Sequence, residues 1–133
     1  MLYTIPLTFT KPPLNMNQRM HWAQKAKITK AIRHEAMVRC RAARIRKANH
    51  ITVQLHYQPR DKRRRDADNI APTLKALCDG IVDAGVVPDD TPDYMTKIMP
   101  TIQPAIKGQP AKMWLEITTA VSYTHLTLPT SDL

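Results

Sequence analysis

The sequence predicts a mixed α/β (α+β) fold built as one small domain. Three observations carry that expectation. Ile51, Val53, Leu55 and Tyr57 alternate with polar residues, the period of a strand with one buried face. Ile70, Leu74, Leu77 and Ile81 recur at the spacing of an amphipathic helix. The chain has 133 residues, 43% of them hydrophobic, enough for one domain with a modest core.

The elements follow in order. Tyr3 to Phe9 places Ile5, Leu7 and Phe9 in alternation and reads as a strand that Lys11-Pro12-Pro13 ends. Leu14 to Arg19 is a polar loop. A long helix is expected from about His21 to Ile45, with Trp22, Ala26, Ala31, Ala36, Met37, Ala42 and Ile45 supplying part of its apolar stripe and Ile28 and Ile32 adding to it. That stripe is rich in alanine, so the helix should rest on a broad sheet or on a second copy of the chain. Ile51 to Tyr57 is the second strand, ended by Pro59. Asp68 or Asn69 is a natural N-cap for the next helix, with Pro72 in its first turn, Gly85 just past its end and Pro88 barring a restart. Asp89 to Asp93 is a turn. Tyr94 to Ile98 and Met113 to Thr119 are the last two strands. The expected order is β-α-β-α-β-β in a mixed sheet over residues 1–120. Within the remaining segment, 121–133, Ser122 to Thr130 resembles a translated synthetic adapter. The segment is set apart from the fold as a non-native or disordered tail.

Charge is unevenly distributed. The chain carries 20 Lys and Arg against 11 Asp and Glu, a formal net charge of +9. Fifteen of the bases lie between Arg19 and Arg65, whereas seven of the acids lie between Asp66 and Asp93, where Lys75 is the only base. Basic flanks suit a polyanion, and a knot of carboxylates suits Mg2+. Together they point to an enzyme acting on nucleic acid.

Other classes are excluded by what the chain lacks. No apolar run approaches the roughly 20 residues of a membrane helix. The start, Met1 to Pro6, has no basic and apolar signal segment, so a cytosolic protein of bacterial or phage type, or a nuclear one, is expected. Three glycines leave no room for a nucleotide-binding loop, and no nucleotide cofactor is expected. Cys40 and Cys78 form no paired motif and read as buried thiols. His34-Glu35 begins a zinc-protease pattern that Val38 fails to close.

Phosphodiester hydrolysis needs a metal that polarises the phosphoryl oxygens and supplies hydroxide. Asp66 and Asp68 are two apart and can face one side in extended chain. A helix from about Pro72 to Ala84 runs roughly 20 Å out, and Val86 to Asp90 can return about 17 Å if extended. That path can bring Asp90 back beside the pair. Lys75, early on the helix, could reach a phosphate. Arg60, Lys62, Arg63, Arg64 and Arg65 would hold the flanking backbone, as would Arg19, Lys25 and Lys30 from the first helix and its approach. Plainer roles stand beside these. Asp68 and Asn69 can simply cap, Asp89-Asp90-Thr91-Pro92 is ordinary turn chemistry, and Lys75 with Asp79 can be a surface pair.

The order Arg64-Arg65-Asp66-Ala67-Asp68-Asn69, then Lys75, Asp79, Gly85 and Asp89-Asp90, resembles the RusA family of Holliday-junction resolvases. The opening strand followed by Pro12-Pro13-Leu14-Asn15, Asn17 and Arg19 resembles it too. The resemblance implies a homodimeric, Mg2+-dependent endonuclease, with Mn2+ as a substitute ion, that resolves four-way DNA junctions by paired nicks. It implies bacterial, prophage or phage-infected cytoplasm as the setting. Asp66, Asp68 and Asp90 would bind metal, Asp89 would support them, and Lys75 would be the catalytic lysine. One departure is an apparent insertion around Ala71-Pro72-Thr73, which leaves the orientation of Lys75 towards Asp68 open. Two alternatives remain: a non-catalytic basic DNA-binding protein, and a nuclease of this fold acting on other branched DNA.

Overall fold

A computed structural model describes residues 1–120. The segment 121–133, set apart in the sequence, lies outside the described residues. The elements are β1 (Leu2–Pro6), α1 (Trp22–Ala42), β2 (Ile51–Gln58), a 3-10 turn (Ala67–Ile70), α2 (Ala71–Asp83), β3 (Met95–Lys97), β4 (Thr101–Ile102) and β5 (Lys112–Thr119). The molecule is a small α+β unit with two helices on a single mixed sheet.

β2 lies at the centre of the sheet. On one side it pairs antiparallel with β5 from Ile51↔Thr119 to Gln58↔Lys112, and β5 in turn pairs with β1. On its other side it pairs parallel, first with β3 and then with β4. Parallel neighbours need a crossover, and α2 with its return loop provides it. The strand expected at Tyr94 to Ile98 is thus shorter and is followed by a second piece. The Ile98 amide still donates to the Val53 carbonyl at 2.9 Å. Pro100 has no amide to donate, so the ladder breaks there before β4 resumes. β1 is also shorter than expected. Beyond Leu7 the Thr8 amide turns away to donate to Glu35 on α1, at 2.7 Å.

The alternation read in β2 holds: Ile51, Val53, Leu55 and Tyr57 are all buried. Met113, Leu115 and Ile117 of β5 bury on the same core. In α2 the stripe Ile70, Leu74, Leu77, Ile81 is buried as the periodicity requires. Gly85 follows the last turn at φ +85°, a conformation that favours glycine. Its amide donates to Val82 at 2.9 Å.

α1 keeps only part of its expected face. Trp22, Ala26, Ala31 and Ala42 are exposed, and the buried residues are Ile32, Ala36 and Cys40, with Ile28 half-buried above them. These four repeat at i+4 and form a narrow seam against α2. The two helices cross closely because α2 carries Gly80 at the contact. A Cβ there would meet the Arg33 carbonyl oxygen and come within 2.6 Å of Ala36 Cβ. A bidentate pair between Arg33 and Asp83 closes the same crossing.

Candidate active site

The segment between β2 and α2 is shaped by Arg65. Its guanidinium donates to the carbonyls of Asp61 (3.0 Å) and Arg63 (2.9 Å) and to Asp61 Oδ1 (2.7 Å). It also lies 5.7 Å from the centre of the Tyr57 ring. The Arg65 hydrogen bond, then the Arg63 amide, hold the Asp61 carboxyl below the usual range. Arg65 is thereby engaged in the loop itself, unlike the other members of the basic run. Arg63 makes a looser 3.3 Å contact with Asp61. Arg60, Lys62 and Arg64 are exposed and make no ion pair among the described residues.

Asp66 is extended (φ −105°, ψ 129°), and the chain then coils into the 3-10 turn that carries Asp68 and Asn69. The expected N-cap at Asp68 or Asn69 is corrected here. Both lie inside that turn, α2 begins from Ile70, and neither helix start is capped by a side chain. The carbonyls of the turn take the first amides instead: the Asn69 amide donates to the Asp66 carbonyl at 3.2 Å and the Ala71 amide to that of Asp68, so no side-chain cap is needed. Asp66 and Asp68 are exposed, and their carboxylates take no hydrogen bond or ion pair among the described residues.

The loop that follows β1 docks against this entry. The Met16 amide donates to the Asn69 carbonyl at 3.1 Å. Thr73, fully buried in the first turn of α2, donates to the Leu14 carbonyl (2.7 Å) and accepts from the Leu14 amide (3.2 Å). The two stretches that carry the resemblance, some fifty residues apart in sequence, therefore meet. They enclose a cleft of about 360 Å³ lined by Lys11, Asn15, Asn17, Arg64, Asp66 and Asn69, with Tyr57 and Arg65 behind.

The chain does return from α2, as loop rather than strand, but it brings Asp90 to Lys75; among the described residues Asp90 is not gathered with Asp66 and Asp68, the neighbours expected for it. Val86 and Val87 are buried against the core, and the chain runs back along α2 to bring Asp90 to Lys75. Lys75 Nζ donates to Asp90 Oδ2 at 2.6 Å and to Asp79 Oδ1 at 3.0 Å. Lys97 Nζ on β3 donates to the same Asp90 oxygen at 2.8 Å. The Lys75 hydrogen bond, then that of Lys97, hold the Asp90 carboxyl far below the usual aspartate range. In return Asp90, then Asp79, raise the Lys75 ammonium above its ordinary value, so it is protonated and a poor base. Asp89 has a local duty: its Oδ1 accepts the Asp90 amide at 2.8 Å, a turn contact.

Lys97 is absent from the sequence reading. A single lysine at the end of a three-residue strand breaks no pattern, and only the parallel pairing of β3 with β2 carries it to Asp90. Thr73 was missed for a related reason, since a threonine near a helix start reads as solvated.

Arg19, Lys25 and Lys30 stand exposed on the approach to α1 and along it, away from these carboxylates in sequence. Among the described residues no three His, Cys, Asp or Glu side chains are gathered as a ready-made metal cage. The donor set nevertheless matches a hard cation in kind. Asp66 and Asp68 are exposed oxygen donors without protein partners, and Mg2+ commonly takes only one or two carboxylates beside water and substrate phosphate. No helix among the described residues is long and apolar enough to cross a membrane.

Comparison with protein-family models and with curated proteins finds no match.

Proposed function

We propose that this chain is a Mg2+-dependent endonuclease of the RusA-like type that cuts four-way DNA junctions. The observation that carries the proposal is the meeting of Lys75 and Asp90 across fifteen residues, at 2.6 Å, on the helix whose entry bears Asp66 and Asp68. A surface pair of Lys75 with Asp79 alone would not need the chain to return. The docking of the Pro12 to Asn17 loop on Asn69 and Thr73 adds support, because it unites both halves of the resemblance around Asp66.

In this proposal Asp66, Asp68 and Asp90 hold Mg2+, or Mn2+ in its place. The bound ion would polarise the phosphoryl oxygens and supply hydroxide near neutral pH. Lys75 remains an ammonium throughout and offsets negative charge on the phosphate. It can do so only by sharing or leaving Asp90, and Lys97 then keeps that carboxylate ionised. Arg60, Lys62 and Arg64 bind the flanking strands through their phosphates, so affinity falls steeply with salt. A homodimer would match the two-fold symmetry of a four-way junction. The setting would be the cytoplasm of a bacterial or phage-infected cell.

The test is cleavage of a labelled four-way junction in Mg2+ by wild type and by Asp66→Asn, with linear duplex as control. Paired nicks are expected from the wild type. The variant should bind equally well and cut about 100-fold more slowly or worse, since even outer partners of a metal ligand are worth 10- to 100-fold. Tight binding without cutting by the wild type would instead make the acids structural and the chain a DNA-binding protein. Faster cutting of flaps or nicked duplex would move the substrate to other branched DNA.

A further inference from the structure

The outward face of α1 has no role in the core or at the carboxylates. Trp22, Lys25, Ala26, Thr29, Lys30, Arg33, His34 and Met37 follow one another at helical spacing and share one side of the helix. With Asp83 from the end of α2 as a side wall, they line an open groove of about 690 Å³. At about 1.5 Å per residue the stripe is roughly 22 Å long.

Two properties of the groove do not fit a merely solvated helix. The first is Trp22, whose side is bare to solvent at 76% exposure. The His21 ring stacks beside it, centres 5.6 Å apart and planes 29° apart. A large indole left open at the head of a charged stripe is a flat apolar platform. The second is the charge. Lys25 and Lys30 make no ion pair among the described residues, and the single acid of the groove, Asp83, is already neutralised by Arg33. The groove is therefore an aromatic platform followed by a positive track.

A second copy of the chain would bring the same cations against one another, at a cost rather than a gain. A rigid duplex offers phosphates to the lysines but keeps its base faces stacked away from the indole. An unpaired strand offers both: phosphates for Lys25 and Lys30, and a base face for Trp22. Such pairing of a positive groove with exposed aromatic rings is how single strands are held without sequence preference.

We infer that the α1 groove binds unpaired single-stranded DNA, with a base stacked on Trp22 and the backbone along Lys25 and Lys30. The inference deepens the proposed function by assigning the arm of the substrate next to the cut, and rests on it only for the choice of DNA. Asp83 lies twelve residues along α2 from Ala71, about 18 Å at helical rise. The groove is thus set off from Asp66 and Asp68 by about the length of that helix, and from Lys75, which holds Asp90, by eight residues, about 12 Å. It would grip a strand opened near the branch point, not the scissile phosphate.

The test is binding of an oligothymidylate to the full chain in the presence of a chelator, so that no cutting enters. The chain has two tryptophans. Trp114 is half-buried, stacked on His56 with Lys112 over it. Trp114→Phe therefore leaves Trp22 as the only indole emitter. Oligothymidylate should quench that emission. Trp22→Ala, which removes an exposed side chain and should fold normally, should weaken binding about 5- to 150-fold. An abasic oligonucleotide of equal charge should bind wild type and Trp22→Ala equally weakly. Lys25→Ala with Lys30→Ala should lower the salt dependence of binding.

The inference is overturned if the abasic strand binds as tightly as oligothymidylate, which would leave electrostatics alone. It is also overturned if Trp22→Ala binds oligothymidylate like the wild type. Competition by oligoglutamate with equal quenching would assign the groove to an acidic peptide instead. Failure of junction cutting leaves these readouts unchanged, since none of the substituted residues belongs to the proposed metal site.

Discussion

The two helices use their surfaces in opposite ways. α2 buries seven of its thirteen residues, including Leu74, Leu77, Cys78 and Ile81. α1 buries three of twenty-one: Ile32, Ala36 and Cys40. The shorter helix is therefore the scaffold, and the longer one is attached to it along a narrow seam. An attachment that narrow leaves most of α1 free to present charge. It also explains how one small domain can hold Asp90 firmly on α2 while exposing a row of cations on α1.

The sharpest way to break this comparison is to truncate equivalent apolar side chains on the two helices. Leu77 on α2 is fully buried, so Leu77→Ala removes its burial and leaves a cavity, at a cost of about 3 kcal/mol. Val38 on α1 is 45% exposed, and Val38→Ala should stay within about 0.5 kcal/mol of wild type. Urea unfolding of both variants measures the difference. Equal losses would mean that α1 is covered in solution, as a dimer through that helix would require.

The seam itself is tested next. On an open helix, replacing glycine by alanine gains about 1 kcal/mol of helix propensity. At Gly80 the new methyl would meet the backbone of Arg33, which cannot rotate away, and the Ala36 side chain. Gly80→Ala should therefore lose about 2 kcal/mol, the scale of core overpacking. Because the Arg33–Asp83 pair spans the same crossing, its thermal unfolding should also become less sensitive to loss of that pair. A stability gain would show that the helices separate without cost.

The same contrast decides what could be read in the sequence. Ile70, Leu74, Leu77 and Ile81 sit among small and polar neighbours, so α2 has one possible inward face. β2 is as clear, since a period of two leaves only one register for Ile51, Val53, Leu55 and Tyr57. In α1 the alanines and the bases occur on every side. Trp22 draws the expected stripe onto itself because a tryptophan is ordinarily buried. The true seam, Ile28 to Cys40, has the i+4 period and three of its four residues are in the expected stripe, but what selects it over the other alanines is Gly80 of another helix. At the site, helix rise and chain length bounded a return of Asp90 and set its expected end at Asp66 and Asp68; the contact it makes is with Lys75. The second lysine on Asp90, and the buried hydroxyl of Thr73 that docks the Leu14 loop, were not legible. Each is brought in by a pairing between distant segments: β3 lies on β2 with Lys97 opposite Val53, and Thr73 meets Leu14 across 59 residues.

The smallest expected effect concerns Asp90. Its carboxyl is held low by the hydrogen bond from Lys75 and then by that from Lys97. A carboxyl whose folded value is depressed stabilises the fold above its unfolded value, near 4, and that contribution disappears as pH falls through the folded value. Lys75 is more than half exposed, so solvent screens the pair and the contribution at neutral pH should be about 1 kcal/mol. Asp90→Asn should lose that amount at neutral pH. The two proteins should begin to converge in stability as pH falls below about 4 and meet only near the depressed folded value, where wild type loses the charge as well. Urea unfolding at a series of pH values reads the convergence directly. A difference that stays constant with pH would mean that Asp90 acts through its hydrogen-bond geometry and not through its charge. That result would remove the electrostatic reason for placing two lysines on one carboxylate, and with it the comparison between a helix that organises charge and one that displays it.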